Sequence, residues 1–290
     1  MKVIFQQYLC HLKGMRIKVK DLSNENIIYI NKNGIQYLQF RKLLEYKDIL
    51  SHAYGCGNDV NYRTVSHTRE LSEEEKRQAI QNYENLCNQI GADSKKLIRS
   101  KQRHTDRILL VDNLNEASNE NEPFDGSITN KPEIVLGTTN ADCILMILFD
   151  PVKKVLANVH SGWRGTLQRI SVKAVNKMKE EFNSNPQDII CCMAPSIRKC
   201  HFEVEKDVAE LFEKEFQELP YDEFIKKQED KEKWNIDTIL INRRILLNQG
   251  LKLENIIDSG ICSCCNCHSL HSFRVEREKY GLNALVAKLN

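Results

Sequence analysis

Runs of apolar residues along the chain predict a series of strands. Two short runs in "IIYINKNGIQYLQF", residues 27–40, are separated by "NKNG", which predicts a β-hairpin. Further strands are predicted at "RILLV" (107–111), "EIVLGTT" (133–139), "CILMILF" (143–149), "VLANVH" (155–160) and "DIICCMA" (188–194). Because "CILMILF" is apolar throughout, it is typical of a strand buried on both faces.

Apolar residues at helical spacing predict several helices. The most clearly marked helix follows Ser72, which forms a capping box with Glu75, and it ends at Gly91. Its apolar positions are Ala79, Ile80, Tyr83, Leu86, Cys87 and Ile90. The same periodicity predicts helices at 167–182, 207–219 and 237–249, with the charged "KKQEDKEK" as a solvated connection between the last two.

Strands mixed with helices favour an α+β (mixed α/β) fold. We expect residues 1–290 to form one domain, with residues 1–49 supplying its N-terminal strands. The polar segment "NLNEASNENEP", residues 113–123, is typical of a surface loop rather than a domain linker.

Composition and charge exclude several classes of partner. With 28% charged residues and a net charge of +2, the chain has no field strong enough to indicate nucleic acid binding. Its longest apolar run is too short to cross a bilayer, and "MKVIFQQYLCHLKG" lacks the continuous core of a secretory signal. Eleven cysteines in such a chain predict reduced thiols and some metal ligation, hence a cytoplasmic protein.

Three potential metal ligands follow predicted strand ends or lie at them. They are His104 in "KQRHTDR", Cys143 in "TTNADC" and His160 in "NVHSGWRG". Imidazole and thiolate suit zinc, and three protein ligands that leave a fourth position open are typical of a catalytic site. From these residues alone, a surface histidine, a core cysteine and a hydrogen-bonded histidine are the more common interpretation, because lone histidines and cysteines are usually structural.

Four motifs in order, "TTNADCILMILFDP", "NVHSGWRGT", "APSIRKCHFEV" and "CSCCNCHSLHSFR", resemble the laccase-domain family over about residues 50–290. This family also carries the names polyphenol oxidoreductase, purine nucleoside phosphorylase and peptidoglycan editing factor. Departures from its pattern are Thr105, Leu145, Ala194 and Val275, which stand where glycine, proline, glycine and a second arginine are common. Val275 cannot hold a phosphate or a carboxylate.

The resemblance implies a four-layer α-β-β-α sandwich with mixed sheets. It implies Zn²⁺ on His104, Cys143 and His160, with purine nucleosides and phosphate as partners. The implied activity is cleavage of adenosine, inosine, guanosine or methylthioadenosine with phosphate, together with deamination of adenosine. Zinc fits the deamination because it can lower the pKa of a bound water towards neutrality.

The remaining motif positions supply candidate catalytic and substrate-binding residues. Catalytic candidates are Asp142, Arg164 and Arg274, and substrate-binding candidates are Gln102, Trp163 and Glu203. An arginine fork binds phosphate oxygens bidentately, and the alternative for each arginine is a structural ion pair. The carboxylate of Asp142 either carries a proton or orients a ligand, and Trp163 either stacks on a purine or packs in the core.

Two other functions use the same residues or the same metal. Cys143 could be the nucleophile of a hydrolase with His160 as its base, either in general or in editing a peptidoglycan precursor. A metal-stabilised interaction module is the non-enzymatic alternative.

A second group of ligand-type residues lies in "CSCCNCHSLH", residues 262–271. Paired cysteines normally need a second ligand pair to enclose a tetrahedral metal, and the neighbouring sequence offers none, which favours a local or redox-sensitive cluster over a second metal site.

Multicopper oxidases use His-x-His pairs, which are absent from the eight histidines. Copper is therefore expected only as an adventitious ion, and phenol oxidation is not expected.

Overall fold

A computed structural model describes residues 20–65, 69–115, 120–229 and 231–290. Its strands are β1 (Ile27–Lys32), β2 (Ile35–Phe40), β3 (Leu50–Gly55), β4 (Leu97–Arg99), β5 (Ile108–Leu110), β6 (Gly126–Thr129), β7 (Val135–Asn140), β8 (Ile144–Asp150), β9 (Val155–Ser161), β10 (Ile190–Met193), β11 (Glu203–Val204), β12 (Ile225–Lys227), β13 (Trp234–Ile236), β14 (Ile256–Asp258) and β15 (Asn283–Leu289).

The α-helices are α1 (Arg41–Leu44), α2 (Glu73–Gln89), α3 (Trp163–Leu167), α4 (Ile170–Phe182), α5 (Lys206–Glu215), α6 (Tyr221–Phe224), α7 (Thr238–Asn248) and α8 (Phe273–Glu276). Short 3₁₀ turns lie at Ser94–Lys96, Pro186–Asp188, Leu253–Asn255 and Arg277–Lys279. Within the described ranges, none of the helices has the length and apolar character that a membrane crossing needs.

Two six-stranded sheets form the centre of the fold. The first has the order β1-β2-β3-β15-β7-β4, and the second has the order β14-β10-β8-β9-β6-β5. Most neighbours are antiparallel, but β4 runs parallel to β7, β5 to β6 and β14 to β10. Both sheets are therefore mixed, as the family resemblance implies.

The alternation of side chains along β8 shows how the layers stack. Leu145, Ile147 and Phe149 belong to the core between the two sheets, where Leu136 and Leu285 of the first sheet also lie. Their neighbours Ile144, Met146 and Leu148 face the other way, into a core shared with α4 and α7. On the outer face of the first sheet, residues of β3 and β15 pack against α2. The order of layers is thus α-β-β-α, which confirms the expected fold class.

The hairpin and the capped helix form as predicted. The turn between β1 and β2 consists of Asn33 and Gly34, both with positive φ (54° and 82°), as a two-residue hairpin turn requires. Ser72 caps α2 through the capping box with Glu75. Ile80, counted among the apolar positions of this helix, is 51% exposed, so that position does not belong to the core.

Other elements differ from the sequence prediction. The helix expected over 167–182 is two helices, because Arg169 between them has φ 56° and its guanidinium binds Glu215 and Glu218. The helix expected at 207–219 ends at Glu215. In the "KKQEDKEK" connection, Lys226 and Lys227 lie in β12, which pairs with β13 in a three-stranded sheet that β11 completes, and residue 230 lies outside the described ranges.

Two further expectations concern residues outside the described ranges. The amino-terminal segment of residues 1–19 is one, so the absence of a secretory signal stays a prediction. Residues 116–119, inside the expected loop at 113–123, are the other. Within the described part of residues 1–49, β1 and β2 join the first sheet.

A buried amide links the two sheets. Asn158 of β9 is fully buried, accepts a hydrogen bond from the hydroxyl of Thr138 (2.6 Å) and donates to the carbonyls of Leu136 (3.1 Å) and Leu285 (3.0 Å). All three partners lie in the first sheet. Since hydrophobic packing alone fixes spacing but not register, these bonds set how the two sheets align.

We expect Asn158→Ala to lower the free energy of unfolding by about 2–4 kcal/mol, because it leaves buried polar partners unsatisfied. Denaturant unfolding monitored by circular dichroism measures the change. Asn88→Ala, at an exposed position of α2, is the matched control and should stay within about 0.5 kcal/mol of the parent protein. An equal effect of both substitutions would contradict the role given to Asn158.

Candidate metal centre and active site

The three expected ligands come together at the end of the second sheet where β8 begins and β9 ends. The ligating atoms of His104, Cys143 and His160 all lie within 4.8 Å of one another. The Cys143 Sγ is 3.8 Å from the His104 Nε2, and the two imidazole rings are 5.1 Å apart between centroids. His160 is buried, Cys143 half-buried and His104 exposed, so the cluster opens to solvent on the side of His104.

Backbone geometry directs the three side chains to one point. His160 lies in β9 opposite Leu145, close to where Cys143 precedes β8. His104 lies in the loop between β4 and β5 and has φ 59°, a left-handed conformation that is uncommon for non-glycine residues. A Cβ on Gly162 would lie 2.5 Å from the His104 Cδ2 and 3.1 Å from the Cys143 Sγ. The glycine of "HSGWRG" therefore provides the room in which the ligands meet.

Asp125, which was not predicted from the sequence, holds His160 and the His104 loop in place. Its fully buried carboxylate accepts a hydrogen bond from His160 Nδ1 (2.8 Å) and from the backbone N–H groups of His104 (3.0 Å) and Thr105 (2.7 Å). The imidazole of His160 therefore presents Nε2 to the cluster. A carboxylate behind a ligating histidine is the usual support of a metal site, so the residues present fit a metal ion.

Charge is concentrated around Cys143. Burial alone would raise the pKa of its thiol, but His160 and His104 outweigh burial and lower the pKa to about 6. Burial alone would lower the pKa of His160, but the Cys143 thiolate and the Asp125 carboxylate raise the pKa to about 9. At neutral pH the metal-free cluster therefore contains a thiolate beside an imidazolium, and a divalent cation would replace the proton.

Asp142 lies next to this cluster and is almost fully buried. Its carboxylate accepts hydrogen bonds from the Ser263 hydroxyl (2.6 Å) and from the backbone N–H of Arg274 (2.7 Å). Burial raises the pKa of Asp142 against these hydrogen bonds. Its backbone has φ 89°, an uncommon value for a non-glycine residue. The Asp142 carboxylate thus connects the start of β8, where Cys143 lies, to the loop after β14 and to α8.

Arg274, whose backbone N–H binds Asp142, is also a neighbour of Glu203. A guanidinium nitrogen of Arg274 donates to the Glu203 carbonyl (3.0 Å), while the Glu203 carboxylate accepts from Gln228 (2.8 Å). Val275, where the family often has a second arginine, packs half-buried against the core around α5 and α7.

The other three candidates flank the ligands in sequence. Both amide atoms of Gln102 bind the backbone of Thr139, at 2.7 Å and 2.8 Å, which ties the His104 loop to β7. Trp163 is half-buried and packs against the core around α5 and α7. The guanidinium of Arg164 is exposed and lies 4.2 Å from the centroid of the Trp163 ring.

A second cluster of ligand-type atoms lies in the same region. Cys200, His201, Cys262 and Cys265 place one ligand atom each within 4.8 Å of one another. Cys200 and His201 are the second ligand pair that the sequence interpretation of "CSCCNCHSLH" did not find. Both residues stand in the quoted motif "APSIRKCHFEV", but their distance along the chain concealed the pairing.

Comparison with known proteins identifies relatives in sequence and in structure. The chain is 28% identical over 209 residues to "Purine nucleoside phosphorylase YlmD" of Bacillus subtilis, which covers 70% of this chain and 74% of that protein. It is 31% identical over 205 residues to "Adenosine deaminase RL5" from an unknown prokaryotic organism, covering 69% and 76%.

A solved structure supports the fold assignment. The crystal structure of YlmD from Geobacillus stearothermophilus superposes with a TM-score of 0.76 at 19% identity and covers 91% of this chain and 99% of that chain. The family model described as "Multi-copper polyphenol oxidoreductase laccase" matches residues 58–290. With most of its length matched, this chain belongs to the multi-copper polyphenol oxidoreductase laccase family.

Proposed function

We propose that this protein is a zinc-dependent enzyme that cleaves purine nucleosides with phosphate and also deaminates adenosine. The observation that carries the proposal is the convergence of His104, Cys143 and His160, in a chain similar to proteins named purine nucleoside phosphorylase and adenosine deaminase. Two imidazoles and one thiolate with an accessible side are a donor set suited to a catalytic zinc ion.

His104, Cys143 and His160 would hold the zinc, and Asp125 would orient His160 towards it. When bound there, zinc would supply Lewis acidity to the reacting group. Copper also binds imidazole and thiolate, so the presence of that metal after purification would not establish oxidation chemistry.

Phosphorolysis joins a phosphate oxygen to C1′ of the ribose, breaks the bond from C1′ to the purine nitrogen, and releases the base with a proton. The phosphate dianion needs cationic donors, and we assign this part to Arg164 and Arg274. The Arg164 guanidinium is exposed and lies over the Trp163 ring, which restricts its orientation without neutralising its charge. Trp163 would also stack on the purine.

Deamination adds water to C6 of adenosine and releases ammonia, which requires proton transfers at the purine. Asp142 is the candidate for this work, because burial raises its pKa and brings proton exchange closer to neutral pH. Its hydrogen bonds to Ser263 and to the backbone of Arg274 fix the carboxylate in place.

Gln102 and Glu203 complete the proposed substrate site. Since both amide atoms of Gln102 already bind Thr139, we propose that Gln102 positions the His104 loop beside the substrate. The backbone carbonyl of Glu203 likewise orients the Arg274 guanidinium.

A second candidate function is favoured by the charge state of Cys143. A thiolate of lowered pKa beside His160, which is itself held by Asp125, has the arrangement of a cysteine nucleophile. The thiolate would attack an acyl carbon, His160 would protonate the leaving group, and water would release the acid. A peptidoglycan-precursor hydrolase would use the same groups.

Incubation of the purified protein with adenosine, with and without phosphate, tests the first function. We expect ribose-1-phosphate and adenine only with phosphate, and inosine in either case, as identified by liquid chromatography and mass spectrometry. His160→Ala should abolish these products, because it removes a ligand, while His268→Ala serves as the matched histidine control. Full activity of His160→Ala, or of protein freed of metal by a chelator, would refute zinc-dependent catalysis.

Asp125→Asn should weaken metal binding at this site by about 10- to 100-fold, because the neutral amide orients and polarises His160 less well. Competition with a chromogenic chelator measures the affinity, and the matched control is Asp188→Asn in a 3₁₀ turn. An affinity equal to that of the parent protein would show that His160 needs no carboxylate support.

The reactivity of Cys143 in metal-free protein should rise with pH through about 6, since thiolate is the reactive form and its pKa is lowered to that value. In His160→Ala the thiol loses its main cationic partner while its partial burial remains, so alkylation at pH 7 should slow by roughly 100-fold.

Peptide-resolved mass spectrometry after iodoacetamide treatment follows Cys143 separately from the other thiols. Cys87, whose pKa burial raises to about 12, is the internal control and should remain unmodified. Nucleoside cleavage that survives metal removal but ends on alkylation of Cys143 would favour the cysteine nucleophile. A pH midpoint near 9 in the parent protein would contradict the charge state described for the cluster.

A further inference from the structure

The second cluster joins two segments that are distant in sequence. Cys200 and His201 lie in the turn between β10 and β11, and Cys262 and Cys265 lie in the loop that follows β14. The backbone holds the segments side by side, because Ser196 and Cys262 form a parallel bridge and the Ser263 N–H donates to the Ser196 carbonyl (3.0 Å).

An ion pair next to the cluster joins the same two segments. The guanidinium of Arg198 binds both carboxylate oxygens of Asp258, at 2.5 Å and 2.6 Å. The ligand pairs are thus brought together by the surrounding protein, and their meeting does not depend on one flexible side chain.

The distances within the cluster match a tetrahedron of ligands around one ion. Zinc binds sulfur at about 2.3 Å and imidazole nitrogen at about 2.0–2.1 Å, so tetrahedral ligands stand about 3.8 Å apart for two sulfurs and about 3.5 Å apart for sulfur and nitrogen. The Cys200 Sγ is 3.7 Å from the Cys262 Sγ and 3.9 Å from the Cys265 Sγ. The His201 Nδ1 is 3.1, 3.7 and 3.5 Å from the sulfurs of Cys200, Cys262 and Cys265.

The neighbouring Cys264 is not one of the four mutually close ligands. Cys264 lies between two members of the cluster in sequence and its thiol interacts with that of Cys262, but its Sγ also contacts the Ser272 hydroxyl (3.2 Å) and the Asp142 carboxylate (3.7 Å). Cys200, Cys262, Cys264 and Cys265 are all free thiols. The sulfur separations in the cluster are far longer than the roughly 2.05 Å of a disulfide bond.

We propose that Cys200, His201, Cys262 and Cys265 bind a structural zinc ion, separate from the site at His104, Cys143 and His160. Four protein ligands close the coordination sphere, which distinguishes this site from the three-ligand site with its accessible side. Binding requires the loss of the thiol protons and leaves the metal without a position for substrate.

The proposed zinc ion would hold the wall of the active site in place. Ser263, which donates to Asp142, lies directly between Cys262 and the following cysteines, and Arg274 lies in α8 at the end of the same loop. A metal that fixes Cys262 and Cys265 therefore restrains the loop on which the Asp142 carboxylate depends. This role does not depend on which substrate the enzyme uses.

Zinc content per chain, measured by plasma mass spectrometry on full-length protein purified under reducing conditions with added zinc, tests the proposal. We expect two zinc ions in the parent protein, and one each in His160→Ala and Cys265→Ser. Cys264→Ser, a matched thiol of the same loop outside the cluster, should retain two. One ion in the parent protein together with none in His160→Ala would overturn the second site.

Replacement of zinc by Co²⁺ in His160→Ala examines the second site alone, because this variant keeps all four ligands of that site. The result therefore does not depend on whether Cys265→Ser folds. We expect tetrahedral visible bands with strong sulfur-to-cobalt charge transfer, as three thiolates produce. A spectrum without tetrahedral bands, or a Cys200–Cys262 disulfide in the reduced preparation, would refute the proposal. Inactivity towards nucleosides with both metals bound would refute the proposed function alone.

Discussion

The buried carboxylate of Asp125 is the interaction on which the geometry of the candidate active site depends. It binds the imidazole of His160 and three consecutive backbone N–H groups, those of residues 103–105. The same residue accepts the backbone N–H of His160 through its carbonyl (2.7 Å). One side chain therefore fixes both the strand that carries His160 and the irregular loop that carries His104. A buried charge is tolerated there because five donors surround it, including the Thr105 hydroxyl.

The backbone of Cys143 is fixed by the side-chain amide of Asn140. Asn140 donates to the Cys143 carbonyl (2.6 Å) and to that of Pro195 (2.9 Å), and it accepts from the Tyr54 hydroxyl (3.0 Å). These partners lie in β3 of the first sheet, directly before β8, and in the turn after β10. The position of the Cys143 sulfur thus depends on a buried asparagine that connects separate segments of the sandwich. Asn158 connects the two sheets in the same way, deeper in the core. Small glycines such as Gly162 are needed where these constraints bring three ligands into one space.

Sequence patterns predicted the elements that depend on local chemistry. The hairpin at Asn33 and Gly34 and the capped helix after Ser72 are specified by residues that touch each other within a few positions. The break at Arg169 was not predictable in this way, because its left-handed backbone accompanies ion pairs to Glu215 and Glu218, 46 and 49 positions further along the chain. The three ligands were found through motif resemblance, since spacing alone does not show that distant strand ends meet.

The residues that sequence reasoning missed share one property: their role exists only after the chain has folded. Asp125 stands in "EPFDG", where an aspartate before glycine indicates no more than a turn. Cys200 and Cys262 are 62 positions apart, so neither segment reveals the other.

In the folded chain the two clusters differ in their number of ligands, and this difference favours a different role for each metal. Three ligands with an exposed histidine suit reaction at the metal, while four ligands suit a structural role. Ser263 and Asp142 connect the two clusters over a short path, so the rigidity of one site becomes a condition for the geometry of the other.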